Sequence, residues 1–264
     1  VRLPDDVSFI KLLSKTQVSS AEELLAQFRE RKAPLFFSGF GDPARTVNEL
    51  RKRWPENLER LTYEAQRIEA GSLDLLGFQG LTVGTPPDWH LEPRSGKRSP
   101  LVHWSLLKEL EAHESGDKKI IWELSRHQYF ITLGRAYWVS GDERYALLFV
   151  DHISSWMDNN PPGLGLNWLS SLEVSFRAIS WLWALHFFRQ SPNLTSAVFL
   201  RLLKYLSAHA RHIETYLSTY SSPNTHLTGE ALGLFYLGSL LPEFPEANRW
   251  QIRGEKILLA ELER

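Results

Sequence analysis

Apolar residues recur at helical spacing along most of this chain. In the first part, this spacing predicts short helices over residues 20–31, 46–54 and 57–70. Further on, it predicts longer helices with Gly-, Pro- and Asn-rich breaks, over residues 119–139, 143–158, 168–189, 194–219, 225–241 and 245–264. Long helices joined by short connections favour antiparallel neighbours.

The predicted helices differ in how much of their surface is apolar. The helix over 168–189 is apolar on nearly all sides, which indicates burial, whereas the helix over 194–219 has a polar face with Arg201, Lys204 and Arg211. An all-α fold in which buried and half-exposed helices alternate is typical of a double ring, the α/α toroid. A plain bundle would give a similar pattern, and no sequence repeat separates the two.

Residues 73–100 lack this periodicity and are rich in Gly and Pro. We predict a long irregular loop with at most short strands, which in a compact domain is usually functional. The predicted organisation is therefore an N-terminal helical segment with this loop, residues 1–100, followed by toroid helices over 101–264.

Composition narrows the classes of partner. The net charge is −1, so nothing suggests a nucleic-acid or anionic-membrane partner, and the absence of Cys excludes disulfides and thiolate metal sites. No apolar run is long enough to span a bilayer, and no signal peptide is present. The chain starts at Val1 and ends in a helical pattern, so we expect a piece of a longer protein.

Tryptophan is frequent, with ten residues in 264. Tryptophan fills protein cores, but its flat ring also stacks on sugar faces, so composition alone leaves both roles open. Trp89 and His90, in the middle of the long loop, are a candidate wall of a sugar subsite. An exposed loop histidine without function is the alternative.

Residues 221–230 place an amide, an imidazole and a carboxylate at the start of an apolar helix, as Asn224, His226 and Glu230. A helix N-terminus carries partial positive charge and unpaired N–H groups, so it suits an anionic ligand. Asn and His there are suited to hold and neutralise a carboxylate. The alternative is that Ser222 or Asn224 only caps the helix.

Two other helices carry ionisable groups among apolar neighbours. Helical spacing pairs Glu173 with Arg177 in one of them. Such groups must be paired or line a polar cleft. A structural ion pair is the alternative, and Asn167, just before this helix, would then be a cap.

The other helix runs through residues 122–127. Spacing of four residues pairs Trp122 with Arg126, and Glu123 with His127. No nucleophile elbow, phosphate-binding loop, dinucleotide fingerprint or metal-binding His spacing occurs, so we predict neither a cofactor nor a metal site.

Taken together, these segments resemble the N-terminal helical domain of the heparinase II/III-like polysaccharide lyases, a group related to alginate and oligoalginate lyases. The resemblance covers residues 70–264 and keeps the family's order. The matching segments are 74–77, 87–90, 119–127, 167–168 with Glu173 and Arg177, and 224–230.

The resemblance implies an incomplete α/α toroid followed by a β-sandwich domain that lies outside this chain. It implies a bacterial, periplasmic or secreted enzyme that cleaves an acidic polysaccharide by β-elimination at a uronic acid. Asn224 is then the carboxylate neutraliser, and His226 helps it or acts as a base. The family's tyrosine and second histidine have no counterpart here. The implied substrate-binding residues are Trp89, His90, Trp122, Arg126, His127, Asn167, Trp168, Glu173, Arg177 and Glu230.

Two other functions remain open from the sequence. An α/α-toroid glycoside hydrolase needs two carboxylates, for which Glu123, Glu173 and Glu230 are candidates. A non-catalytic glycan-binding or exopolysaccharide-assembly protein is the second. The polymer, whether a glycosaminoglycan, alginate or an exopolysaccharide, is also open.

Overall fold

The computed structural model of the chain describes residues 2–13, 18–34, 36–107, 112–220 and 225–263, and is mostly helical. The helices are α1 Asp6–Leu12, α2 Ala21–Glu30, α3 Pro43–Arg53, α4 Pro55–Glu69, α5 Ala112–Ser115, α6 Lys118–Ser125, α7 Tyr129–Ser140, α8 Arg144–Asn159, α9 Ser171–Phe187, α10 Ser196–Thr215, α11 Thr225–Leu240 and α12 Ala247–Leu262. The strands are β1 Ser72–Leu75, β2 Phe78–Thr82, β3 Leu91–Glu92 and β4 Lys97–Arg98. No helix in these ranges is long and apolar enough to cross a membrane.

The start of α2 shows why the local sequence predicted its helix. The Ser20 hydroxyl accepts a hydrogen bond from the Glu23 backbone N–H at 3.2 Å. The Glu23 carboxylate accepts one from the Ser19 backbone N–H at 2.7 Å. The first bond satisfies an N–H group that a helix start leaves without a helical partner, and the second ties the preceding residue to the same turn.

The predicted single helix over 119–139 is wrong, because the chain breaks between α6 and α7. His127, in the break, has a left-handed backbone with φ 58°. Its buried ring stacks on Phe130, with centroids 4.7 Å apart and planes within 5°. Tertiary burial of this ring therefore overrides the helical periodicity. Glu123 forms an ion pair with Arg126, three residues along the chain.

The region over 73–100 contains short strands, as predicted. Strands β1 and β2 pair antiparallel, as do β3 and β4. Between these pairs the chain turns inward, because Trp89 and His90 are both buried. The alternative of an exposed loop histidine is therefore excluded for His90.

The chain divides into two compact units. We call the first the terminal unit, comprising Val1–Pro34, Ser170–Leu182 and Thr195–Arg264. The second, the central unit, comprises Leu35–Leu169 and Trp183–Leu194. The division at residue 100 inferred from the sequence stays a prediction.

Glycines let the helices of the terminal unit approach one another closely. A Cβ atom at Gly238 in α11 would lie 2.4 Å from the Ala247 carbonyl oxygen of α12, and one at Gly254 would lie 2.6 Å from the Ala231 carbonyl oxygen. A Cβ atom at Gly229 would lie 2.4 Å from Leu172 in α9. Helix α11 is thus packed between two neighbours at distances that admit only hydrogen at these positions.

Aromatic rings form much of the core of the central unit. Phe149 and Phe188 stack with centroids 4.8 Å apart, and Phe130 meets Phe149 edge-on at 5.0 Å. Five tryptophans of the chain are fully buried, whereas Trp54 is exposed and the others are half-buried. The fully buried ones are Trp89, Trp156, Trp168, Trp181 and Trp250. Tryptophan is therefore mainly a core residue here.

Candidate functional site

In the central unit, an amide network holds the loop residues that the sequence proposed for sugar binding. The Asn167 side-chain amide donates to the Asn160 side-chain oxygen at 2.8 Å and to the Trp89 carbonyl at 3.3 Å. Trp168 donates through Nε1 to the Asn160 carbonyl at 3.4 Å. All four side chains are buried. Asn167 is thus a bridge between the loop and the end of α8, and it does not cap α9.

The buried residues of this loop are also bonded to α8. The Trp89 ring donates to the Ser155 hydroxyl at 3.0 Å, and His90 Nε2 lies 2.9 Å from the Asn159 carbonyl oxygen, so Nε2 carries the proton. Direct stacking of a sugar on Trp89 or Trp168 is wrong for this structure, because both rings are enclosed. These residues fix the loop against α8.

His127 and His152 flank the Trp89 ring. Their ring centroids lie 5.1 and 6.2 Å from it, both edge-on. His152 Nδ1 lies 2.9 Å from the Tyr129 hydroxyl, and Nε2 lies 3.2 Å from the Thr85 hydroxyl. Burial lowers the pKa of His152 to about 4, and burial raises the pKa of Tyr129. At neutral pH the pair is therefore uncharged, and one hydrogen bond joins the tyrosine hydroxyl to the imidazole.

Trp122 and Arg126 are the predicted site residues of the central unit that remain partly accessible. The Arg126 side chain is 22% exposed and binds the Glu123 carboxylate at 2.6 Å. Trp122 is half-buried and donates through Nε1 to the Leu166 carbonyl at 2.9 Å. A half-exposed guanidinium beside a fixed indole ring suits an anionic sugar.

In the terminal unit, Glu173 and Arg177 lie one turn apart on α9 and are both buried. The Arg177 Nε donates to His209 Nε2 at 3.3 Å. Burial lowers the pKa of Arg177 to about 9, while the negative charge of Glu173 opposes this shift. Arg177 is therefore still charged at neutral pH, and its buried charge is balanced by Glu173. Neither side chain points into bulk solvent.

Helix α11 begins at Thr225, and His226 is exposed in its first turn. Glu230, one turn later, is buried and accepts two hydrogen bonds from Ser218, from its N–H at 2.7 Å and its hydroxyl at 2.8 Å. Burial raises the pKa of Glu230, whereas these bonds and the charge of His226 lower it. Glu230 thus fixes the chain before α11. Asn224 lies outside the described residues.

Sequence reasoning missed several polar residues that the structure places beside the predicted ones. Tyr129, His152 and Asn160 lie in the central unit, and His209 lies in the terminal unit. A histidine within an apolar helical face was the available signal for His152 and His209, since a buried imidazole needs a partner. Within the described ranges, no three His, Asp or Glu side chains gather closely enough to hold a metal ion.

The described residues define a mostly helical protein with buried polar networks and an exposed histidine at the start of α11. The chain belongs to the family described as Heparinase II/III N-terminus, which matches residues 11–264. The resemblance found in the sequence is therefore confirmed.

Two relatives are named heparin-sulfate lyase. The protein from Bacteroides thetaiotaomicron is 32% identical over 176 residues, which cover 66% of this chain and 24% of that protein. The protein from Pedobacter heparinus is 31% identical over 154 residues, covering 56% of this chain and 23% of that protein. The chain thus spans about a quarter of the length of the curated relatives it matches.

The fold matches part of solved lyase structures. Heparan sulfate lyase HepC from Pedobacter heparinus superposes with a TM-score of 0.70 at 22% identity, covering 92% of this chain and 34% of that one. A heparinase III structure gives a TM-score of 0.66 at 21% identity, covering 98% of this chain and 36% of that one. The prediction of an all-α, partial helical domain is confirmed.

Proposed function

We propose that this chain is the helical part of a polysaccharide lyase that cleaves a uronic-acid-containing glycosaminoglycan by β-elimination. Family membership and the names of the relatives support the reaction class and the substrate class. The observation that carries the proposal is the exposed His226 in the first turn of α11, next to the position of Asn224. The same family membership supports a periplasmic or secreted location.

The chemistry of the proposed reaction needs charge neutralisation first. An ionised uronate carboxylate draws little electron density from C5. Removal of the C5 proton therefore requires hydrogen-bond donors that stabilise the negative charge developing on the carboxylate. A base takes the C5 proton, the C4–O bond breaks, a C4=C5 double bond forms, and the leaving oxygen receives a proton. Asn224 and His226 at a helix start supply hydrogen bonds and a favourable dipole for the carboxylate.

The buried groups of the terminal unit have a supporting role in this proposal. Glu230 holds Ser218 with two hydrogen bonds, so the segment before α11 is tied to the helix that carries His226. Arg177 and Glu173 place a balanced charge pair within α9. The rest of the proton-transfer machinery, a tyrosine and a second histidine, is proposed to lie in the rest of the protein.

The carboxylates argue against the glycoside hydrolase alternative. Glu230 is buried and bonded to Ser218, Glu173 is buried beside Arg177, and Glu123 is ion-paired with Arg126. An inverting or retaining hydrolase needs two carboxyl groups that face the scissile bond, one to protonate it and one to activate water or attack. Each candidate is already committed to a partner in the protein.

The test uses the full-length protein and heparan sulfate. We expect turnover that produces an unsaturated uronate, seen by its ultraviolet absorbance. Asn224→Ala and His226→Ala should each lower turnover by about a hundredfold or more, the scale of removing one oxyanion donor, and leave melting almost unchanged. Asn248→Ala, an exposed asparagine in the first turn of α12, is the matched control.

Three results would overturn the proposal. Products without the double bond would indicate a hydrolase. Binding without any turnover would indicate a glycan-binding protein. Normal turnover with a lowered melting temperature in Asn224→Ala would make Asn224 a helix cap only, at a cost of roughly 1 kcal/mol.

A further inference from the structure

The central unit contains a cavity of about 500 Å³ between the start of α3 and the C-terminal ends of α7 and α9. Its lining includes Asn48, Arg51, Trp138, His186 and Arg189, and no carboxylate is found among the described residues that line it. Arg51 thus brings a positive charge to a lining that has no carboxylate among its described residues. Its volume lies within the range of about 300–1,000 Å³ typical of small-molecule sites.

Arg51 supplies a charge that is not neutralised. Its Nη2 donates to the Val139 carbonyl oxygen at 2.7 Å, which fixes the guanidinium against the end of α7. Among the described residues it has no carboxylate partner, whereas its neighbours Lys52 and Arg53 both pair with Glu49. A guanidinium held by one N–H keeps its other donors for a ligand, and its planar shape suits a carboxylate or a sulfate.

The carboxylate of Glu143 is held by other residues and makes no ion pair with Arg51 among the described residues. It accepts hydrogen bonds from the Tyr137 hydroxyl at 3.0 Å, from the Ser191 hydroxyl at 2.5 Å and from the Asn193 amide at 2.8 Å. Its oxygens are therefore committed to the α7–α8 and α9–α10 connections. Arg51 therefore lines the cavity without an ion pair to this carboxylate, whose own negative charge remains.

The wall of the cavity is aromatic and held in place. The Trp138 ring lies 4.6 Å from that of Phe40 and 4.9 Å from that of Phe187, and its Nε1 donates to the Phe187 carbonyl at 2.9 Å. Trp138 and Phe40 are half-buried, so each keeps an accessible edge or face. Asn48 is exposed on α3, and among the described residues its side chain makes no hydrogen bond, so its amide remains available for a hydroxyl.

We propose that this cavity binds an acidic sugar unit of a glycan through residues other than Asn224 and His226, without a catalytic role. The aromatic wall takes the apolar face of the sugar, Arg51 takes its carboxylate or sulfate, and Asn48 takes a hydroxyl. The choice of a glycan as carrier of the anion rests on the proposed function, but the site itself rests on these residues alone. Such a site would hold a long polymer chain on the protein between turnovers.

The experiment measures protection from backbone hydrogen exchange in the 264-residue chain when a heparan sulfate hexasaccharide is added. Protection is expected in residues 40–51 and 137–141. Asn48→Asp puts a carboxylate into the cavity, where it repels an anionic sugar because like charges at a binding surface are costly. The hexasaccharide concentration that gives half-maximal protection should therefore rise at least about tenfold in this variant. Lys52→Gln makes the chain more negative by the same amount on the same helix, but outside the cavity. This control variant should leave the protection unchanged.

A second variant keeps the test decisive if Asn48→Asp is poorly folded. Ala44→Glu places a carboxylate at another exposed lining position, in the first turn of α3, where an acid favours the helix dipole. It should weaken the protection in the same way. Arg51 is not the first choice, because its bond to Val139 also joins α3 to α7.

Four results would overturn the inference. They are no protection in these residues, equal loss in Asn48→Asp and Lys52→Gln, equal protection by neutral maltohexaose, and equal protection by inorganic sulfate at the same concentration. The last would show an anion site without sugar recognition. Failure of the lyase proposal is seen separately, as absence of unsaturated product from the full-length protein while this protection persists.

Discussion

At the scale of single residues, burial decides the protonation of the histidine that the sequence did not single out. His152 is buried between the Tyr129 and Thr85 hydroxyls, and its pKa falls to about 4. An ordinary histidine in the unfolded chain has a pKa near 6.5. Between these values the unfolded chain binds more protons than the folded chain, so folding stability falls as pH falls.

We therefore expect the contribution of His152 to the free energy of unfolding to be largest above about pH 6.5. This contribution should decrease by roughly 3 kcal/mol as the pH falls towards 4. Urea unfolding at a series of pH values measures it. His152→Gln should remove that part of the slope, whereas His103→Gln, an exposed histidine, should keep it. An unchanged slope in His152→Gln would show that the burial of this ring is not linked to stability.

The buried pair Glu173 and Arg177 gives a second residue-scale prediction. Arg177→Met leaves the Glu173 carboxylate buried without its counter-charge and should lower the free energy of unfolding by about 3–5 kcal/mol. Glu173→Gln should also destabilise. The double variant should recover part of the loss, because no unbalanced charge remains, and a thermal or urea unfolding cycle measures the coupling. Strictly additive losses would mean that the two charges do not compensate each other.

At the scale of elements, glycines decide how closely helices pack. Gly238 and Gly254 bring the backbones of α11 and α12 into contact. Glycine within a helix costs about 1 kcal/mol relative to alanine, so its presence twice at this interface needs a packing reason. The absent Cβ atoms supply that reason.

We expect Gly238→Ala to destabilise the chain by several kcal/mol, on the order of the cost of overpacking, although alanine is the better helix former. The new Cβ would lie 2.4 Å from backbone atoms, which have no room to move aside. Thermal unfolding measures the effect. Ala260→Gly, at an exposed position of α12, is the control and should lose at most about 1 kcal/mol. A stabilised Gly238→Ala would contradict the close packing.

At the scale of the whole molecule, the chain is one part of a larger lyase in the function that we propose. It covers 34% of the HepC structure and about a quarter of the curated relatives. In that proposal His226, which is exposed, contacts the substrate, and the tyrosine and second histidine belong to the rest of the protein.

The 264-residue chain alone is therefore expected to release no unsaturated uronate from heparan sulfate, while the full-length protein does. Positioned proton-transfer groups contribute several powers of ten to a rate, and their absence leaves binding without turnover. Absorbance assays of both proteins at equal concentration measure this. Robust depolymerisation by the chain alone would place the catalytic groups within it.

The sequence by itself determined most of the long helices, because periodic apolar positions and caps act over a few residues. The Ser20 cap of α2 and the buried character of α9 are examples. The family was also readable from short segments in a fixed order. The candidate neutralisers Asn224 and His226 came from the same reading, and their role stays a prediction.

Only the tertiary structure decided which polar residues are enclosed. Asn167 bonds to the Trp89 carbonyl, and Arg177 bonds to His209; the first pair is 78 residues apart in the chain and the second is 32 apart. The break at His127 has the same origin, since its ring enters a core that only the folded chain contains. Local patterns report what a segment prefers alone, but burial of a polar or aromatic side chain depends on partners that the fold brings from far along the chain.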